Sequence, residues 1–414
     1  MLGRLGGWLL SERAEPLLAR LPAGRAKAGT DPSLGAWAPY RRTVPTSLQS
    51  TPGIRRDREA EDRAHATEPL HDFHALHGPA ITWILKQHWH LLAPRLPRMA
   101  RVALRERATA RVTPVSAAPA CDPAKLTADL RRHAAAIGLS AVGIAAFDSR
   151  YHYVEHRGRE RGDRVVVGLV EQSWAAVQRA PSPVSERSTF EAQTTSHELM
   201  VEIAHWLHAR GYAAAAEPGD GYGIVIHYAV QAGLGQLGLN GQLLTPQAGS
   251  RCRPTLLTTD APLELDAPRD FGLTRICDAC QVCVRRCPTG AIPARRWMSR
   301  GVEKAKINVS RCLPVMGHAF GCAICMKVCP IQRYGLERVT DEFERSGTIL
   351  GKGTDGLEGY RWPVDGRFYG SGRKPPIPRG FTRPPDLPFD PPQYRKPANA
   401  DDPPVPPQPR ETGV

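Results

Sequence analysis

Residues 277–330 read Cys277-x2-Cys280-x2-Cys283-x3-Cys287-Pro288, then a lone Cys312, then Cys322-x2-Cys325-x3-Cys329-Pro330. Runs of this spacing bind [4Fe–4S] clusters in pairs, the last cysteine of each run serving the other cluster. The spacing assigns Cys277, Cys280, Cys283 and Cys329 to one cluster, and Cys287, Cys312, Cys322 and Cys325 to the second. Each cubane needs four converging thiolates, which two tight turns and one distant cysteine supply. The prolines stop the chain from running on as helix after the last ligand. Two zinc sites would draw on the same CxxC pairs, but a triple-cysteine run ending in Cys-Pro, present twice, belongs to iron–sulfur chemistry.

This is the spacing of a bacterial two-cluster ferredoxin. A disulfide framework belongs to small secreted domains, whereas this chain has 414 residues and no clean secretory signal. Of its ten cysteines only Cys121 and Cys252 lie outside the pattern, and they read as ordinary reduced thiols. Eight clustered thiolates imply a reducing compartment, most simply the cytoplasm. No apolar run reaches the roughly eighteen residues that a spanning helix needs. The Arg41-Arg42 pair lacks the apolar segment of an export signal.

The net charge is +14, from 55 basic and 41 acidic side chains. Residues 1–120 carry 18 basic and 10 acidic groups, so +8 of the excess sits there. Such a bias suits nucleic acid, an anionic membrane surface or an acidic electron-donor protein, and equally a solvated arginine-rich surface.

Residues 1–120 read as a basic, partly helical N-terminal region, loosely ordered before Glu68. From Glu68 to Arg107 apolar content rises, with His71, His74, His77, His88 and His90 among it. A helical pair packed on the main domain fits this segment better than an interfacial amphipathic helix or a histidine metal site. A domain of mixed strands and helices follows over 121–270. Asp122 caps a helix with Pro123 at its first position and Gly138 at its end. Ala141–Ala146 and Arg164–Val170 read as strands. Thr195-Ser196-His197-Glu198 reads as a capping box opening a helix that Gly211 closes. Tyr212–Ala216 is a short strand and Ile224–Ala232 a helix. Next comes a glycine-dense string, Gly233-Leu234-Gly235-Gln236-Leu237-Gly238-Leu239-Asn240-Gly241. Two readings of it stay open, backbone amides approaching a ligand and a tight irregular turn. The cluster region occupies 271–340, and Thr340–Glu344 finishes a helix. Residues 341–414 are a C-terminal extension. Its part from 371 holds 14 prolines and reads as largely disordered.

The segment from Asp220 to Pro330 resembles the reductive dehalogenases, within the corrinoid/iron–sulfur group that also holds epoxyqueuosine reductase. The likeness is carried by Ala232-Gly233-Leu234-Gly235, by Gly241-Gln242-Leu243-Leu244-Thr245-Pro246 and by Thr259-Asp260-Ala261-Pro262-Leu263. It continues through Asp270-Phe271-Gly272-Leu273-Thr274, directly ahead of the first cysteine run. About a quarter of the chain is covered. The resemblance implies an α/β (α+β) fold: a nitroreductase-like corrinoid-binding core beside a ferredoxin-like module with two [4Fe–4S] clusters. Electrons would pass through the clusters to a corrinoid (cobalamin), which cleaves a bond in a small organic substrate, in the dehalogenases a carbon–halogen bond. A separate ferredoxin- or flavodoxin-type donor is implied, since the chain has no room for a fused flavin unit.

By the same resemblance, Gly233, Gly235, Gly238, Gly241 and Thr245 fall in the cofactor-binding stretch. Arg253 stands where the group keeps an arginine that lowers the pKa of a phenol or holds a halide. Asp220 replaces the asparagine or lysine of the dehalogenases, which brings it closer to the carboxylate logic of epoxyqueuosine reductase. The group's donor tyrosine belongs near Thr194–Ser196, where this chain has none, leaving Tyr222 or Tyr228 as spatial substitutes. Two rival functions stay open. One is an electron-transfer protein without a corrinoid. The other is a tRNA-modifying reductase, although the short Cys312–Cys322 spacing and the missing helical repeats depart from that branch.

Overall fold

The computed structural model describes residues 90–91, 93–113, 121–152, 158–217, 223–299, 302–305 and 307–377. The readings for residues 1–89, for Asp220 and Tyr222, and for the tail from 378 lie outside them.

The helix α1 (Leu96–Thr109) precedes α2 (Pro123–Ile137), which starts as its sequence demands. The Asp122 side chain accepts from the Ala124 amide at 3.0 Å, Pro123 occupies the first turn, and Gly138 ends the helix at φ 108°. The strands β1 (Ala141–Ala146) and β2 (Arg164–Glu171) follow. After α3 (Trp174–Gln178) comes the long α4 (Pro183–His208), then β3 (Ala214–Ala216) and α5 (Val225–Gln231). A small hairpin, β4 (Gln236–Leu237) and β5 (Leu243–Leu244), leads into β6 (Cys252–Thr259).

Four of these strands form one sheet in the order β1-β2-β6-β3, antiparallel at every pair. An antiparallel sheet with helices on its faces is α+β, which decides between the two classes left open by the sequence. β2 lies inside the sheet and is covered on both faces, which explains its unbroken Val165-Val166-Val167 run. Alternate side chains divide between two cores. Val166 and Leu257 join α2 and α4 on one face. Val165, Val167 and Leu256 join α5 on the other.

The helix expected to open at Thr195 opens instead at Ser182, whose hydroxyl accepts from the Ser185 amide at 3.2 Å, with Pro183 in the first turn. The polar run that imitates a cap sits mid-helix, with its hydroxyls otherwise employed. Thr194 donates to the Phe190 carbonyl at 2.8 Å, Ser196 pairs with Thr255 on β6 at 2.7 Å, and Thr195 accepts from Arg98 on α1 at 3.0 Å. Arg98 also binds Glu198 and Glu191, and Arg105 binds Glu202. α1 is thereby tied along α4. The strand anticipated from Tyr212 begins at Ala214.

Beyond the sheet the chain forms α6 (Leu273–Cys280), α7 (Val282–Arg286), a hairpin of β7 (Trp297–Ser299) and β8 (Val302–Lys304), α8 (Val309–His318), α9 (Ile324–Lys327) and α10 (Pro330–Tyr334). α11 (Leu336–Ser346), which contains the stretch read as a helix end, and α12 (Asp355–Glu358) lead to a last hairpin of β9 (Tyr360–Arg361) and β10 (Phe368–Tyr369). Val282, Ile324, Ile331, Val339, Tyr360, Trp362 and Tyr369 share one core, with Ile377 packed against it. The segment from 341 to 377 is therefore part of the folded cysteine module. Among the described residues no helix is long and apolar enough to cross a membrane.

Candidate functional site

Short helices and tight turns bring the eight cysteines into two sets. Gln281, Phe320, Cys322 and Ala323 hold positive φ (55°, 48°, 53° and 56°), the only non-glycine residues among those described that do. All four lie within the cysteine region, where the backbone must curl to turn thiols and amides inward. Burial raises the thiol of Cys283 well above its ordinary range, with Cys277, Cys329, Cys325 and Cys280 adding to the rise. Burial pushes Cys280 up to about 11 and Cys329 up to about 12, again with Cys277 adding. Burial likewise raises Cys312, with Cys287 and Cys322 adding. Cys322 is raised by burial beside Cys325 and Cys287, and Cys325 by burial beside Cys312 and Cys287.

Cys280 and Cys329 lie in one apolar core with Cys277, Cys283 and Cys322 packed against it, and Cys287 lies in a second with Cys283, Cys312 and Cys325 packed against it. Cys283 touches both cores, and Cys325 adds to the rise at Cys283. A buried cluster of neutral thiols is unstable as thiolate without a cation, so the donor set fits a bound iron–sulfur group. Among the described residues no three ligating side chains converge as they would on a single metal ion. A cubane spreads its iron corners, so its thiolates stand around a volume instead of on a point. Around the first set that volume is walled by Leu239, Leu244, Ile276 and Ile331. Backbone amides also reach the sulfurs: the Ala291 N–H donates to the Cys287 Sγ at 3.3 Å, and amides of Ile324 and Gln332 lower Cys322 and Cys329 against the burial.

In the sheet domain, Arg253 on β6 faces α4. Its guanidinium donates to the Cys252 carbonyl (3.2 Å), to Gln172 Oε1 (3.1 Å) and to Thr189 Oγ1 (3.4 Å). Burial lowers its pKa, and no carboxylate pairs with it among the described residues. Arg251, two residues earlier, is neutralised by Glu171 at 2.9 Å. Arg253 is thus a sequestered positive charge held by neutral acceptors.

Tyr228 lies across the sheet from Arg253, in the core that holds Leu256 and Cys252. Its hydroxyl donates to the Asp148 carbonyl at 2.9 Å and accepts from His152 Nδ1 at 2.9 Å. With a proton on Nδ1, His152 Nε2 and Glu217 Oε1 share the next one at 2.6 Å, and Glu217 Oε2 accepts from the Gly223 amide at 2.9 Å. Burial holds the Tyr228 phenol well above its usual pKa. The structure therefore keeps Tyr228 and Arg253 apart and gives Tyr228 two partners that sequence reasoning missed. Nothing local marks them, since His152 is 76 residues from Tyr228 and 65 from Glu217.

The glycine string forms the β4–β5 hairpin. A Cβ on Gly235 would lie 2.4 Å from the Leu244 carbonyl, and one on Gly238 would lie 2.7 Å from Asn240 Oδ1. Cβ atoms on Gly233 and Gly241 would meet the Ala267 carbonyl and Ile307, both at 2.6 Å. Thr245 closes the following turn, donating to the Gly249 carbonyl at 3.3 Å. Protein atoms fill each position where a side chain is missing. Gly235→Ala is accordingly expected to cost about 1–3 kcal/mol by overpacking, read as a lower melting temperature. An unchanged melting temperature would return the glycine to a ligand-facing role.

Residues 276–333 match the family described as 4Fe-4S dicluster domain. A tetrachloroethene reductive dehalogenase of Dehalobacter restrictus is 33% identical over 214 residues, 49% of this chain and 38% of that protein. An epoxyqueuosine reductase of Synechococcus sp. (strain RCC307) is 34% identical over 121 residues, 28% of this chain and 36% of that one. The solved catabolic reductive dehalogenase NpRdhA superposes with a TM-score of 0.51 at 25% identity, over 60% of this chain and 38% of that chain. The chain resembles the reductive dehalogenases in sequence and in fold, and the epoxyqueuosine reductases in sequence. This dehalogenase-like chain spans only 29–38% of the length of the first tetrachloroethene reductive dehalogenases it matches.

Proposed function

We propose that this chain is an iron–sulfur oxidoreductase that passes electrons through two [4Fe–4S] clusters to a reducing centre in the α+β domain, with an external ferredoxin- or flavodoxin-type protein as donor. The observation that carries the reading is that eight cysteines at cluster-binding spacing, within the stretch that matches the 4Fe-4S dicluster family, come together around two adjoining cores. Bound clusters would supply one-electron storage. The chain's own part is to hold them with thiolates and amides, and to keep water from the set walled by Leu239, Leu244, Ile276 and Ile331.

The reducing centre implied by the likeness is a corrinoid, which would supply a low-valent metal for reductive cleavage of an organic substrate, in the dehalogenases a halogenated one. The filled positions beside Gly233, Gly235, Gly238 and Gly241 do not fit a corrinoid cradle, so no step is derived through it. Arg253 remains the residue equipped to hold an anion, a departing halide or a phenolate, because its half-buried charge has no carboxylate partner among the described residues. Tyr228, with His152 and Glu217, remains equipped to hold a proton, and Asp220 and Tyr222 stay as proposed donors.

Metal analysis separates these readings. After anaerobic expression with cobalamin and cluster reconstitution, about eight irons and one cobalt per chain are expected for the corrinoid reductase. About eight irons without cobalt would leave the electron-transfer protein. Zinc in place of iron would overturn both. NpRdhA has been solved in complex with 3-bromo-4-hydroxybenzoic acid, so bromide release from that compound is a direct assay. Arg253→Met is expected to lower its turnover about 100-fold, the scale of losing one charge-stabilising donor group. Unaltered turnover would remove Arg253 from the chemistry.

A further inference from the structure

The last hairpin turns one side inward and the other out. In β9 and β10, Tyr360 pairs with Tyr369 and both are buried. Their neighbours Arg361 and Phe368 also pair across the strands, and period-two alternation puts both on the outer face. Phe368 is 54% exposed there and Val364, in the connecting turn, 43%. Arg361, Arg367, Arg373 and Lys374 are exposed around them. The stretch 359–377 holds these four cations and a single acid, Asp365. Asp365 is occupied by the Tyr369 hydroxyl at 2.6 Å and by the Arg367 amide. Arg361 and Arg367 are the basic groups nearest that acid in sequence, yet no ion pair forms at any of the four cations among the described residues.

This face is fastened directly to the second thiol set. Arg286, the residue before Cys287, is buried and donates to the carbonyls of Ser371 (3.1 Å), Tyr369 (3.1 Å) and Arg373. The Tyr360 hydroxyl donates back to the Arg286 carbonyl at 3.4 Å. An apolar centre ringed by unpaired cations is the anatomy of a protein-docking surface whose partner is acidic. We propose that the outer face of this hairpin docks an acidic one-electron carrier protein, which delivers its electrons to the cluster of Cys287, Cys312, Cys322 and Cys325. The inference rests on the function proposed above and adds the entry point. In each encounter the reduced carrier loses one electron and that cluster gains it, with no bond made or broken.

The exposed apolar pair argues for a protein over a nucleic acid, whose phosphates would need the cations alone. The test uses the full chain with reconstituted clusters and follows bleaching of their visible absorbance by stopped flow. A reduced plant-type [2Fe–2S] ferredoxin serves as the acidic carrier, and reduced methyl viologen as a small cationic reductant that needs no docking face. For wild type, the ferredoxin rate is expected to fall steeply with salt. In the triple variant Arg361→Glu/Arg367→Glu/Arg373→Glu it should be at least about tenfold slower at low salt and should rise with salt, because the reversed charge repels the carrier until salt screens it. Phe368→Ser should slow it at every salt concentration. Viologen rates should match wild type in Phe368→Ser and should not fall below it in the triple variant, whose acidic face attracts the cation.

Wild-type ferredoxin kinetics in the triple variant would overturn the proposal. So would an equal slowing with viologen, because the loss would then lie in the cysteine module itself. Displacement of ferredoxin by an equimolar RNA stem-loop would overturn it in favour of a nucleic acid. A chain that reconstitutes no iron–sulfur absorbance would instead sink the functional reading beneath it, which the iron assay reports separately.

Discussion

Cys280→Ala and Cys322→Ala are each expected to lose about four of eight irons per chain, and the double variant nearly all of them. The two losses should differ in kind, because the residues sit in different sets. Cys280 lies beside Cys277, while Cys322 lies beside Cys325 and Cys287. Each removal leaves three of the four thiolate ligands that a cubane needs, so the damaged site cannot keep its cluster. Iron determination together with electron paramagnetic resonance of the reduced protein would check it, each single variant retaining one different cluster signal. Retention of about eight irons in either single variant would overturn the assignment of ligands.

That assignment was legible because the chemistry fixes the spacing. Four thiolates per cubane and crossed fourth ligands leave little freedom, and the stretch that carries them matches the 4Fe-4S dicluster family. Local signals also held wherever a single residue decides them, as with Asp122, Pro123 and Gly138 around α2. The cap at Thr195 misled because Ser and Thr hydroxyls serve two purposes. They cap a helix when nothing else binds them. Here Arg98 on α1 takes Thr195 and Thr255 on β6 takes Ser196, partners that lie far off in sequence.

The core site was harder to read for a different reason. Tyr228, His152 and Glu217 meet only through the fold, and Arg253 differs from Arg251 only in lacking a carboxylate partner. The glycines show the opposite failure. Their density looked like a ligand cradle, yet backbone oxygens and side chains of the chain itself occupy the space. Composition likewise set the segment after 341 apart as an extension, largely disordered from 371. Its few large apolar groups, Trp362, Tyr360 and Tyr369, are instead buried on the cysteine module.

What holds that segment leads to the second large effect. Arg286 is 1% exposed, and its guanidinium meets no carboxylate among the described residues. It donates to four main-chain carbonyls, those of Glu358 (3.1 Å), Ser371 (3.1 Å), Tyr369 (3.1 Å) and Arg373, and lies 4.8 Å from the Tyr360 ring centre. Only a planar fork of five N–H donors can serve carbonyls approaching from several angles at once. Arg286→Met would leave those carbonyls buried without donors, a loss of about 3–5 kcal/mol. At about 2–4 °C per kcal/mol for a fold of this size, the melting temperature of the reconstituted protein should fall by about 6–20 °C. Arg286→Lys should recover only part of it, because a single ammonium cannot span four acceptors. Limited proteolysis should then cut first between 355 and 377. Iron held by the Cys287 set should yield to a chelator before iron held by the Cys277 set, since Lys327 alone would still tie α9 to the Leu357 and Gly359 carbonyls. A melting temperature within about 2 °C of wild type, with the segment still protected, would mean that the buried aromatic rings hold it without the clamp.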